Sequence, residues 1–298
     1  PVSTGKQQKH RNPIAINLGG KRPDLLVQAD SRLWFFANES KKGKLLFAEP
    51  VAIRTSDGAE VTTDGAAVLE GNKLLVHRPD GTLSAATLQL KDIPQLQMGA
   101  PITDTNGNVF KCPSRHFVLA DWNNDGIPDL VCGLSDGLYV YLGRSNAPGG
   151  LVFTPESQPA HKRSYNIAPG VGDLNNDGVQ DLLHGINWGT LHAWINSDKK
   201  PVITENEYIE LELQNQPTDK FMRNLNGAHP TVADFDGDGT ADIILGGNNG
   251  RELVGALGVS TDSWKDNLTL IEKELYQGHE HDLGLVLESD NRKGLNRY

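Results

Sequence analysis

Three stretches of this chain place carboxylates where they could close around a hard cation. Asp121-Trp-Asn-Asn-Asp-Gly-Ile-Pro-Asp129, Asp173-Leu-Asn-Asn-Asp-Gly-Val-Gln-Asp181 and Asp234-Phe-Asp-Gly-Asp-Gly-Thr-Ala-Asp242 all read D-x-[DN]-x-D-G-x-x-D. Carboxylates at the first, fifth and ninth positions, a carboxylate or amide at the third and a backbone carbonyl at the seventh can converge on one ion. Oxygen ligands in a flexible shell are calcium chemistry, and the glycine at the sixth position permits the sharp turn. The ligand sets are Asp121, Asn123, Asp125 and Asp129 with the carbonyl of Ile127; Asp173, Asn175, Asp177 and Asp181 with that of Val179; and Asp234, Asp236, Asp238 and Asp242 with that of Thr240. An EF-hand would add a Glu at the twelfth position and a helix after the loop. Cys132, His184 and Leu245 stand there instead, inside apolar runs, which rejects the EF-hand. One such loop would be an ordinary Asp/Asn-rich turn; three in register are a pattern. The loops hold ten aspartates, and the formal net charge is −10. A bound cation would relieve that clustered repulsion.

The elements that must position these loops are strands. Each loop follows a short apolar stretch (116–120, 167–172, 229–233) and precedes another (130–133, 182–185, 243–247). The segments are too short for helices and are punctuated by Gly and Asn. Successive loops start 52 and 61 residues apart, room for four short strands each, the size of a propeller blade. Two weaker copies lie upstream. Residues 14–38 keep the Asp-Leu-Leu-Val after a shortened loop that retains Asn17 and Asp24, and 66–88 keep the hydrophobic skeleton alone. Residues 283–294 read as a first strand and a decayed loop. The expectation is an all-β chain, one propeller domain over 1–298, with four-stranded antiparallel blades near 12–60, 64–110, 115–160, 165–220 and 228–278 and a partial sixth at 281–298. A seven-bladed ring of which this chain is part is the alternative count.

These loops, each followed by Asp-Leu-Leu/Val or Asp-Ile-Ile, resemble the FG-GAP or VCBS repeats of integrin-α-like β-propellers. The resemblance covers about 116–250 clearly and 14–90 weakly. It implies antiparallel blades around an axis, with calcium in the loop joining the first two strands and bound by the residues named above. It does not specify function, because propellers host unrelated functions.

Strand alternation puts the loop between strands one and two on one face and the turn between two and three, with the link to the next blade, on the other. That second face collects His10, Arg11, Asp30, Arg32, His77, Arg78, Arg115, His116, Asp136, His161, Arg163, Tyr165, His184, Asn187, Trp188, Arg223, His229 and Arg251. Trp188, in the inner turn Asn187-Trp188-Gly189, and Tyr165 could stack on sugar rings. Asn187 and the guanidinium groups of Arg163, Arg223 and Arg251 could bind hydroxyls and carboxylates, with His229 beside them. The leading functional expectation is a secreted, calcium-stabilised propeller that binds carbohydrate, an anionic polysaccharide above all, on this face. The second is a polysaccharide lyase acting on uronate polymers, with Arg163, Tyr165, His184, Arg223 and His229 as candidate charge neutralisers and bases. The third is an integrin-like protein-adhesion domain.

Composition limits the rest. The chain has 298 residues, 37% hydrophobic and 11% glycine by its 32 glycines, which excludes a disordered polymer and implies many tight turns. The acidic balance argues against nucleic acid as partner. No apolar run approaches the roughly 20 residues of a membrane helix. The first residue is Pro1, so the chain is expected to be a processed product or part of a longer parent with further domains. Cys112 and Cys132 form no CxxC motif; a single disulfide and two buried thiols are both open readings. No GxSxG, HExxH or P-loop occurs.

Overall fold

The computed structural model describes residues 11–29, 31–123, 125–146, 150–162, 168–185, 191–196, 209–214, 229–246, 253–257 and 269–274. All regular elements among them are strands. The first sheet is β1 (Arg11–Ile16), β2 (Asp24–Ala29), β3 (Arg32–Phe36) and β4 (Val51–Ala52), in that order. After the short β5 (Arg54–Thr55) come β6 (Gly65–Glu70), β7 (Lys73–His77), β8 (Leu83–Gln89) and β9 (Gln95–Pro101), a second meander with β5 added in parallel to β9. The third is β10 (Phe117–Ala120), β11 (Asp129–Leu134) and β12 (Gly137–Tyr141), closed by β15 (Gln158–Lys162) after a separate hairpin of β13 (Gly143–Asn146) and β14 (Gly150–Phe153). An eight-stranded sheet contains the last two meanders. These are β16 (Ala168–Gly172), β17 (Asp181–Gly185), β18 (Leu191–Trp194), β19 (Ile209–Gln214), and β20 (His229–Ala233), β21 (Asp242–Gly246), β22 (Leu253–Leu257), β23 (Thr269–Glu274). They join edge to edge by parallel pairing of β19 with β23.

The four large sheets therefore hold five antiparallel meanders, and these are the blades of a β-propeller. Their first strands form a circuit: β1 packs on β6, β6 on β10, β10 on β16, β16 on β20, and β20 back on β1. Among the described residues the ring returns to its start after five; residues 281–298, expected as a partial sixth blade, lie outside the described residues. The circuit encloses a cavity of about 440 Å³ lined by all five first strands, including Ile14, Val68, Val118, Val171 and Val232.

The sequence forms this ring because each blade needs its neighbours. The second strands are buried on both faces and read as continuous apolar runs, as in Leu25-Leu26-Val27 and Ile243-Ile244-Leu245. A strand that alternated in polarity would suit a sheet with one wet face; these have none. The core accordingly lies between blades. Leu26, Leu33 and Phe35 of the first meet Leu74, Val76 and Leu96 of the second. Leu75 and Leu83 of the second meet Phe117, Leu130 and Cys132 of the third. Val131 and Val140 of the third meet Leu182 and Trp194 of the fourth. Between the fourth and fifth the backbones themselves approach: a Cβ on Gly170 would collide with Pro230, and one on Gly172 with Val232. The ring closes where Leu25, Val27 and Phe47 pack with Phe235, Ile244 and Leu253, and Ala15 donates its N–H to Thr231 Oγ1 at 2.9 Å.

Candidate functional site

The three acidic loops connect β10 to β11, β16 to β17 and β20 to β21, so all lie on one face of the ring. They share one construction. The sixth-position glycines Gly126, Gly178 and Gly239 have φ of 81°, 85° and 90°, a left-handed turn that other residues resist. The first-position carboxylate accepts backbone N–H groups from the fifth and sixth residues. Asp121 takes Asp125 and Gly126 at 3.0 and 2.9 Å, Asp173 takes Asp177 and Gly178 at 3.1 and 2.8 Å, and Asp234 takes Asp238 and Gly239 at 3.0 Å each. Asn123, Asn175 and Asp236 accept the fifth N–H, and Asp125, Asp177 and Asp238 accept the seventh, from Ile127, Val179 and Thr240. Such nested side-chain-to-backbone bonds hold the turn in shape.

The ninth-position aspartates behave differently. Asp129, Asp181 and Asp242 are buried, at 0%, 1% and 0% exposure. One oxygen of each binds the N–H groups that open the loop: Trp122 and Asn123 for Asp129, Leu174 for Asp181, Phe235 and Asp236 for Asp242. The other oxygen of Asp129 accepts Gly143 N–H at 2.6 Å, and that of Asp181 accepts Asn196 N–H at 2.8 Å, both just past the third strand of the blade. Asp129 and Asp181, which the spacing assigns as ligands, thus also act as pins that tie the loop to the segment after the third strand. Asp24 explains itself in the same way. Its loop is decayed, yet its carboxylate still accepts Asn38 N–H at 2.8 Å beyond β3.

Asp234, Asp236 and Asp242 each bring a carboxylate oxygen within 4.8 Å of the others, the kind of oxygen cluster a hard cation takes. Asp238 stands beside them, bonded to the Thr240 hydroxyl, which lowers its pKa. The loops differ in nearby positive charge. Arg144 Nη1 lies 3.3 Å from Asp125 in the third blade, and Lys42 adds a lowering influence on Asp238 in the fifth. In the fourth, burial first, and then the charges of Asp177 and Asp173, push Asp181 up to about 6 despite its two backbone N–H partners. Burial also raises Asp129 and Asp24.

The opposite face is described in part. Arg163, Tyr165, Asn187, Trp188, Arg223 and Arg251 lie outside the described residues. His184 and His229, placed by sequence on an exposed turn and link, are strand residues at 0% and 1% exposure. His184 stacks on Trp194 at 5.0 Å between ring centroids, with His161 and His192 alongside. His229 meets His116 at 4.4 Å. His161, His184 and His229, expected on the surface of that face, are thus buried, and His116 is half-buried. Tyr139, absent from the residues expected on this face, donates its hydroxyl to exposed Asp136 at 2.7 Å beside the β11–β12 turn. Its signal was an aromatic residue three positions after a turn aspartate. The incoming link is bonded along the same hairpin, through Ser114 Oγ to Gly133 O and Gly133 N to His116 O. Arg115, His116, Asp136 and Tyr139 therefore share one end of the third blade.

Residues 121–184 match the FG-GAP-like repeat family. The matched stretch runs from the third-blade loop through the fourth-blade loop, which bears out the resemblance read from those residues. No curated protein matches the chain. Among solved structures, the chain is similar to an Agrocybe aegerita lectin described as recognising non-reducing terminal N-acetylglucosamine, with 16% identity and a TM-score of 0.40 over 86% of this chain. It spans 64% of that lectin's length. It is also similar to AofleA from Arthrobotrys oligospora, with 15% identity and a TM-score of 0.43 over 86% of this chain and 70% of that one.

Proposed function

We propose that this chain is an extracellular, calcium-stabilised β-propeller that binds carbohydrate on the face opposite its acidic loops. The calcium half rests on the oxygen cluster of Asp234, Asp236 and Asp242 and on the fourth-blade loop, where burial and then the neighbouring carboxylates Asp177 and Asp173 raise Asp181. An ion there would supply positive charge that stabilises the turns. The residues that would hold it are the first-, third- and fifth-position side chains, with the buried ninth-position carboxylate behind them.

One observation carries the carbohydrate half: the Tyr139–Asp136 pair lies at the end of the third blade to which the link bearing Arg115 and His116 is bonded. A ring for stacking, a carboxylate already oriented by that ring's hydroxyl, and a guanidinium together offer the apolar and polar contacts a sugar presents. Of the lyase candidates, His184 and His229 are buried at 0% and 1% exposure, and Arg163, Tyr165 and Arg223 lie outside the described residues.

The test is a glycan array probed with the calcium-loaded protein and with Tyr139→Ala and Trp188→Ala variants. Binding by the parent, lost in Tyr139→Ala while its melting temperature stays within a few degrees, is the expected result. No binding to any glycan would end the carbohydrate reading. Cleavage of a uronate polymer would replace it with the enzymatic one.

A further inference from the structure

The two cysteines are twenty positions apart and meet in the core between the second and third blades, with their sulfurs 3.6 Å apart. Cys112 sits in the link from β9 to β10. Its backbone N–H bonds Gly81 O at 2.9 Å, next to a bridge of Lys111 with Thr82, so the link is held on the β7–β8 turn of the second blade. Cys132 is in the middle of β11, paired with Phe117 and Tyr139 in the third. Both side chains are buried, at 4% and 0% exposure.

We propose that Cys112 and Cys132 form a disulfide that staples the inter-blade link to the third blade, and that the bond is made while the chain folds. The sulfurs are in van der Waals contact already. Closing to about 2.05 Å shortens that separation by about 1.5 Å. The reaction is an exchange with a small-molecule disulfide such as oxidised glutathione. One cysteine thiolate attacks it and displaces a glutathione thiolate. The second cysteine thiolate attacks the protein sulfur of the mixed disulfide and displaces the other. The protein loses two hydrogens, and the oxidant leaves as two molecules of reduced glutathione.

The timing follows from burial. In the folded protein, burial and the neighbouring Cys112 raise the Cys132 thiol well above its ordinary range, and Cys112 donates its S–H to Ser114 O at 3.0 Å. The attacking thiolate is scarce and glutathione has no path to it. In the unfolded chain both barriers are absent, and the ring then shields the finished bond. The inference is independent of the ligand reading.

The full chain is unfolded, reduced and refolded with either a glutathione redox buffer or a thiol reductant. A second preparation is exported to a bacterial periplasm, so that the result does not depend on refolding. The redox-refolded and exported proteins should be about 2 Da lighter than the reduced one and show no titratable thiol in denaturant. Proteolysis should recover the peptides bearing Cys112 and Cys132 as one species. The bonded form should melt several degrees above the reduced form, whereas Cys112→Ala/Cys132→Ala should melt alike in both buffers. Two free thiols or glutathione adducts in both preparations would overturn the proposal. Oxidation of the folded, reduced protein as fast as during refolding would overturn the timing.

Discussion

Replacing Asp129 and Asp125 separately by alanine, in excess chelator, distinguishes a pin from a ligand within one loop. Asp129 is fully buried and holds three backbone N–H groups, from Gly143 at 2.6 Å, Trp122 at 2.9 Å and Asn123 at 3.2 Å. Alanine orphans all three. Water can reach the N–H of exposed Asn123 and in part that of Trp122, but Gly143 is buried. A buried unsatisfied N–H costs about 1–3 kcal/mol and a partly hydrated one less. Relief from burying a carboxylate offsets some of this. The net expected loss is about 2–3 kcal/mol, a large part of a domain's roughly 5–15 kcal/mol. Asp125 is exposed, accepts one N–H from Ile127 at 2.9 Å, and pairs with a half-exposed Arg144. Its removal without calcium should cost under about 1 kcal/mol. Urea unfolding of both variants, with midpoint and slope fitted together, measures the difference. Calcium should then stabilise the parent more than either variant. Equal losses in chelator, or a greater loss for Asp125→Ala, would refute the assignment of the ninth position as the pin.

Four further outcomes follow from the same geometry. Chelation should lower the melting temperature of protein shown by metal analysis to carry calcium, because ions that bind only the folded chain stabilise it by mass action; an unchanged value would remove the ion from the fold. Arg144→Ala should raise calcium affinity at the third-blade loop about two- to five-fold, since it deletes a competing cation at 3.3 Å from Asp125; calorimetric titration showing equal or weaker binding would contradict this. Asp24→Ala should cost about 1–2 kcal/mol with or without calcium, through loss of its bond to Asn38 N–H; a calcium-dependent loss would mean that the decayed loop still holds an ion. In chelator, the folded chain keeps a proton on Asp181 up to about pH 6, whereas the unfolded chain releases it near the ordinary carboxylate value of roughly 4. Stability should therefore fall as pH rises between those values, and Asp181→Asn, compared by urea unfolding across that range, should lack this fall.

The repeat was legible because two signals coincide: a turn motif with fixed spacing and apolar segments of strand length on either side. The role of the ninth aspartate was not legible. A ligand and a pin ask for the same residue at the same spacing, and the N–H of Gly143 that gives Asp129 its pinning role comes from beyond the third strand, outside the motif. The histidines failed for another reason. A second strand buried on both faces does not alternate, so His184 at its end looked like the start of a turn. The closing seam brings Phe47 against Phe235 edge to face at 5.9 Å, a contact between distant segments that no local pattern announces.

How the ring closes bears on what the loops are for. Each blade is a continuous run of chain, and the first and fifth are joined by packing and by bonds such as Ala15 N–H to Thr231, with no shared sheet among the described residues. Two of those bonds reach the fifth-blade loop: Gly43 N–H donates to Asp236 at 2.6 Å, and the Asn38 amide donates to Phe235 O at 2.9 Å. The fourth-blade loop reaches it from the other side, through the Asn176 amide to Gly239 O at 3.2 Å. The loop richest in carboxylates is thus also a joint between three blades. Asn38 ties the two roles together, since its backbone N–H is held by Asp24, the pin of the first blade. A cation at the fifth-blade loop would stiffen the seam that turns five meanders into a ring. Of the three loops, loss of the ion there should loosen the fold most.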